Sequence, residues 1–155
     1  MGTTERTVET AQRMSVAITR LRSRLREETG IYGTGLSITA LAVLQRVTDE
    51  GPVTAAYLAT AEHVSPQAVA QNLAVLKADG LVRAQRDPRD GRKTLITAAE
   101  SGSRLLTSLQ ASRKSFLVRA IDTLVPTDRR ADLDRAIELL ELFAAAEVSA
   151  QDGGG

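Results

Sequence analysis

Residues Ser65 to Ala98 read SPQAVAQNLAVLKADGLVRAQRDPRDGRKTLITA, and most of the architecture follows from how this stretch divides. Serine followed by proline is a helix start. The hydroxyl accepts a backbone N–H of the first turn, and the N–H that proline lacks is one a first turn leaves unpaired anyway. The helix so opened runs to Asp79 and stops at Gly80. At 100° per residue, Val69, Leu73 and Leu76 share one face, while Gln67, Gln71, Ala74 and Ala78 lie opposite. Leu81 to Arg86 alternates apolar and polar residues, and so does Lys93 to Ala98. Between them, Asp87-Pro88-Arg89-Asp90-Gly91-Arg92 is dense in turn formers. The stretch predicts a helix and then a β-hairpin with a basic tip.

Working outward, Thr54 caps a short helix over 55–61, and Glu62-His63-Val64 makes a tight turn into Ser65. A helix-turn-helix followed at once by a two-stranded wing is a winged helix-turn-helix. Before it, Ser37 caps a helix over Ile38 to Glu50 with Leu41, Val43, Leu44 and Val47 inward, ended by Gly51-Pro52. A first helix of about Arg6 to Thr29 carries Val8, Ala11, Met14, Ile18, Leu21 and Leu25 at helical spacing, with Gly30 after its end. After the hairpin, one helix spans Ala99 to Leu124 with Leu105, Leu109, Phe116, Ala120 and Leu124 on a stripe. Another begins near Thr127 with Leu133, Ile137, Leu140 and Phe143.

The expected fold is mainly α with a small β-hairpin wing. A winged helix-turn-helix domain at 36–98 is flanked by an N-terminal dimerisation helix within 1–35 and C-terminal dimerisation helices within 99–150, with a disordered tail at 151–155. The end helices carry more apolar stripe than so small a domain can use, which predicts a homodimer.

Composition narrows the function classes. The chain has 155 residues, 43% hydrophobic and 25% charged, and only 3% aromatic, so its core is aliphatic. No cysteine is present, which excludes disulfides, thiolate metal sites and thiol switches. His63 is the sole histidine, so His-pair metal motifs are excluded. No long apolar run or signal-peptide core occurs, and a cytoplasmic protein without membrane contact is expected. No glycine-rich phosphate loop or converging acid pair appears, so neither an enzyme nor a cofactor is expected. The net charge of +1 hides segregation: residues 77–93 and 13–28 each carry +3, and residues 128–155 carry −4. Such a chain can present a basic surface to phosphates.

That surface points to double-stranded DNA. Gln67 and Gln71 stand one turn apart on the outward face, where a recognition helix places its base readers, and glutamine can pair with adenine in the major groove. Ala68 is small enough for close approach and for contact with a thymine methyl, Ser65 and the helix N-terminus suit a phosphate, and Asn72 lies toward the flank of the core face. On the wing, Arg89 and Arg92 at the tip suit the minor groove, with Arg86 and Lys93 flanking them. Asp90 is expected to hold an arginine in position through charge-assisted hydrogen bonds. Each feature also has a plainer reading, as a good helix former or a solvated turn; their adjacency favours the interface.

The ordered set of residues resembles the MarR-type transcriptional regulators, dimeric winged-helix proteins of bacteria and archaea. The matching residues are Leu36-Ser37 with Leu41 and Leu44, Glu50-Gly51-Pro52-Val53-Thr54 with Leu58-Ala59, and Val64-Ser65. They continue through Leu73, Leu76 and Asp79-Gly80-Leu81-Val82 to Asp87-Pro88, Asp90-Gly91-Arg92 and Ser101-Gly102. The resemblance covers about residues 36 to 105. It implies that Asp90 orients the wing tip and that Arg92 reaches the minor groove, on a palindromic operator. It also allows release by a small phenolic or aromatic ligand, for which the sequence assigns no residues beyond the nearby polar aromatics Tyr32, Tyr57 and His63. Ala70-Gln71 stands where the family often has Thr-Arg, and Gly91 where a second arginine is common. Ala98-Ala99 replaces a frequent Leu-Thr, leaving Thr97 as an alternative cap for the next helix. The competing reading is a winged-helix dimer that binds protein rather than DNA.

Overall fold

Three helix starts use one device. Ser37, Thr54 and Ser65 are each extended, and each side-chain oxygen accepts the backbone N–H three residues on, from Ala40, Tyr57 and Ala68. Each such cap is worth about 1 kcal/mol. In the computed structural model, which describes residues 2–146, these caps open α2 (Ile38–Glu50), α3 (Ala55–Ala61) and α4 (Pro66–Ala78). They are preceded by α1 (Thr3–Glu28) and followed by β1 (Val82–Arg86), β2 (Thr94–Ala98), α5 (Glu100–Leu124) and α6 (Arg130–Ala145). The expected tail at 151–155 lies outside the described residues.

The helices and hairpin fall where the sequence puts them, with local differences. α1 starts three residues before Arg6. Gly30 and Gly35, both left-handed, bracket a 3-10 turn (Ile31–Thr34) whose Ile31 is buried. Before α6, a further 3-10 turn (Thr127–Arg129) occupies what reads as the helix start. Thr97 does not cap α5. It stays in the β ladder opposite Arg83, and the Ala99 carbonyl instead accepts the N–H of Gly102 and Ser103. The alternation of β1 is also only partly used: Val82 is buried but Ala84 is exposed, because no element covers the outer wing.

The chain forms two units that divide within α5, after Phe116. In the first, Val43, Leu44 and Val47 of α2, Leu58 of α3, Val69, Leu73 and Leu76 of α4, and Ile96 of β2 make one aliphatic core, joined by Leu106 of α5. Leu44, Leu58 and Leu76 are wholly enclosed. Truncating any of them to alanine removes about 2–5 kcal/mol. Val53 exchanges both backbone hydrogen bonds with Ile96, at 3.1 and 2.7 Å, so an isolated bridge pins the root of the two-stranded wing to the segment before α3. Gly102 lets α5 close on β1: a Cβ there would stand 2.3 Å from the Leu81 carbonyl oxygen. The second unit contains the end of α5 and α6, and no residue of α6 is buried within the chain.

Candidate nucleic-acid interface

α4 is held by its buried face against α2, α3 and β1. Gln67, Ala70, Gln71 and Ala74 are exposed on the opposite face. Ala68 is half-buried, its N–H engaged by the Ser65 hydroxyl at 3.1 Å. Ser65 itself is exposed, and its hydroxyl and carbonyl oxygens accept the N–H groups of Ala68 and Val69 at the start of the 13-residue helix. Asn72 stands apart. It is half-buried, and its amide oxygen accepts the Ser37 hydroxyl at 3.3 Å. That hydroxyl oxygen also caps α2, so Asn72 ties α4 to the start of α2. The turn into α4 passes through His63, exposed and left-handed at φ 52°.

The wing projects two ladder strands beyond the core. Arg86 pairs with Thr94 at the last rung, and the Asp87 N–H returns to the Lys93 carbonyl at 2.9 Å. Arg86, Arg89, Arg92 and Lys93 are exposed, as is Gly91. The tip is ordered by its two acids. Asp87 accepts the Arg89 backbone N–H at 2.8 Å, and Asp90 accepts that of Arg92 at 3.1 Å. Asp90 thus holds Arg92 through its backbone N–H, closing a tight turn two residues ahead. Arg86, Arg89, Arg92 and Lys93 enter no ion pair among the described residues.

A polar cluster fixes the first helix of the motif. Arg46 donates to Glu62 at 2.7 Å and to Glu50 at 2.8 Å, and the Tyr57 hydroxyl donates to the other oxygen of Glu50. The tyrosine hydrogen bond, then that of Arg46, holds the Glu50 carboxyl below the usual carboxylate range. The same bond to Glu50 pushes the Tyr57 hydroxyl up. Sequence reading missed this cluster because its members are dispersed over α2 and α3.

A separate cleft of about 400 Å³ opens between α1, α2 and α5 within the first unit. Ile31, Leu41 and Leu109 line its apolar floor, and Arg22, Arg26 and Arg113 border it. Tyr32, Tyr57 and His63 do not line it. Among the described residues no cluster of His, Cys, Asp or Glu could hold a metal, and no helix is long and apolar enough to cross a membrane.

Comparison with known proteins agrees with this arrangement. The model of the MarR family matches residues 34–93, the span from the 3-10 turn to the end of the wing tip. An uncharacterized HTH-type transcriptional regulator of Mycobacterium leprae is 31% identical over 130 residues, covering 84% of this chain and 89% of the relative. A Pseudomonas aeruginosa protein assigned as a transcriptional regulator superposes with a TM-score of 0.80 at 30% identity, over 92% of this chain and 98% of its own. The multiple antibiotic-resistance repressor of Listeria monocytogenes shares the fold, with a TM-score of 0.71 at 17% identity over 94% of this chain and all of its own.

Proposed function

Because the chain belongs to the MarR family of transcriptional regulators, we propose that it works in the cytoplasm as a homodimer that binds a palindromic operator in double-stranded DNA. The observation that carries this reading is the wing tip, where four exposed cations without ion pairs stand on a turn locked by two aspartates. In this reading Gln67, Gln71 and Ala68 meet base edges in the major groove, and Ser65 with the α4 N-terminus meets a phosphate. Arg89 and Arg92 enter the narrowed minor groove while Arg86 and Lys93 follow the backbone. Asp90 sets the tip, and Asn72 holds α4 at its angle through Ser37. Residues 36–98 form the DNA-binding domain, and the helices within 1–35 and 99–150 join the two copies. Support for the dimer comes from α1 and α6, where Val8, Ile18, Leu21, Ile137, Leu140 and Phe143 are all at least 42% exposed in the single chain. The cleft between α1, α2 and α5 suits a small ligand with an apolar body and negative charge, whose binding would release the operator.

The test is a mobility-shift titration against fragments of the host genome at graded salt. Binding to a few fragments, with affinity falling steeply as salt rises, is expected, because each phosphate contact releases counterions. Arg92→Ala should lower the salt slope by about one per protomer. No preferred fragment, or a slope that Arg92→Ala leaves unchanged, would refute the assignment and favour a protein partner.

A further inference from the structure

The outward side of α4 carries no charge. At 100° per residue, Ala74, Gln67, Ala78, Gln71, Val75 and Ala68 span about 120° of arc opposite Val69. All but the half-buried Ala68 are exposed. Lys77 is the only charged residue between Pro66 and Ala78, and it stands about 120° around the helix from Gln71, toward the core face. The outward face is therefore two amides set among methyl groups. Along it, Gln67, Gln71 and Val75 follow at intervals of four residues, and Val75 is left 46% exposed. The wing has the reverse character, with Arg86, Arg89, Arg92 and Lys93 all exposed.

Each base edge in the major groove asks for a different partner. Guanine presents two acceptors, most often taken by arginine or lysine, and cytosine presents a donor amine, taken by a carboxylate. The outward face of α4 has neither. A serine or threonine hydroxyl serves either base pair, but α4 contains none, and the Ser65 hydroxyl ahead of it is occupied with the Ala68 N–H at 3.1 Å. Adenine presents an acceptor beside a donor, which a glutamine amide matches, and thymine presents a C5-methyl, which an apolar side chain matches. Both members of an A·T pair thus have a complement on this face, and neither member of a G·C pair does. Val75 offers two methyl groups where an alanine offers one, a single turn beyond Gln71.

We propose that α4 selects A·T pairs, with Gln67 and Gln71 on adenine and Val75, beside Ala68, on the thymine C5-methyl. The inference rests on the operator binding proposed above and adds which bases the helix accepts. It makes Val75 a specificity residue. Thymine is then recognised through a group that takes no part in base pairing, so removing that methyl alone weakens the complex.

The experiment has two steps. The natural chain selects from random duplexes about three helical turns long, and the selection is repeated with Gln71→Ala and with Val75→Ala. Positions at which either variant relaxes the choice of base lie under α4, and they should be A·T in the duplexes that the natural chain selects. Exchanging one such pair for G·C should weaken binding about tenfold. In the second step, deoxyuridine replaces thymidine at those positions of one selected duplex, which removes the methyl and keeps every hydrogen-bonding group. The natural chain should bind the uracil duplex at least about threefold more weakly than the thymine duplex, and Val75→Ala should lose most of that difference. G·C at the relaxed positions, equal affinity for the two duplexes, or a uracil penalty that Val75→Ala leaves unchanged would overturn the inference while operator binding stands. So would variants that relax no position. Failure of the natural chain to enrich any duplex would overturn operator binding itself. Gln71 and Val75 are exposed, so helical circular dichroism should be unchanged. Should a variant lose helix, the natural chain on a selected duplex with uracil in place of every thymine decides alone.

Discussion

Replacing Gly102 with alanine tests how the start of α5 is fastened to the wing. The added Cβ would stand 2.3 Å from the Leu81 carbonyl oxygen and 3.0 Å from Cδ1 of Leu44. The oxygen belongs to the backbone, and Leu44 is wholly enclosed, so neither can swing aside. Helix and strand must part by about 1 Å, an overpacking that costs about 1–3 kcal/mol. The same oxygen accepts the Ala99 N–H at 2.9 Å, and stretching that bond forfeits up to about 1 kcal/mol. Alanine returns about 1 kcal/mol through its higher helix propensity. The net expectation is a loss of about 2 kcal/mol, or about 4–8 °C in Tm for a chain of this size. Urea unfolding followed by the helical circular dichroism signal measures it, with protein concentration held constant because association also stabilises. Gly91→Ala is the control. Nothing lies within 4 Å of its added Cβ, and stability should change by less than about 0.5 kcal/mol. A Gly102→Ala chain as stable as the natural one would refute the account of this contact.

Three further outcomes follow from the site. Asp90→Ala should lower DNA affinity about tenfold by releasing the Arg92 N–H, whereas Asp90→Asn keeps an acceptor oxygen and should restore most of it; equal losses in titrations of the two variants would mean that the negative charge, not the turn, matters. Gln71→Ala should cost on the order of 1–3 kcal/mol at one operator position, read by comparing operator variants; uniform weakening on every sequence would make Gln71 a positioning residue. The lowered Glu50 pKa means that this carboxylate stabilises the fold above its unfolded pKa and that the contribution is lost as pH falls through the folded value. Tyr57→Phe removes the largest cause of the shift. Its urea midpoint should therefore fall short of the natural chain most at neutral pH and converge with it as pH falls through the lowered folded value of Glu50; a gap that does not change with pH would contradict this.

What the sequence makes legible is what is encoded locally. Ser37, Thr54 and Ser65 announce their helices because a cap needs only a side chain and an N–H three residues away. The outward glutamines follow from helical period alone, and the exposed hairpin tip from its turn formers. What stays hidden depends on pairs far apart in the chain. Val53 reads as a loop residue until Ile96 is beside it, and Asn72 reads as a flank residue until Ser37 reaches it. The deepest contact of α5 is Leu106, not its neighbour Leu105 on the expected stripe, because the approach allowed by Gly102 sets the rotation of the helix. The role of Asp90 was legible in kind but not in target. Sequence brings an acid close to an arginine, and only coordinates tell backbone from side chain.

The wing also divides its labour along its length. Stability resides at Val53, Val82 and Ile96, while residues 87–93 contribute no buried side chain to the core. Replacement of Arg89, Gly91, Arg92 or Lys93 therefore leaves folding nearly untouched, and a lineage can retune its grip on the genome there, one residue at a time, without passing through forms too unstable to survive.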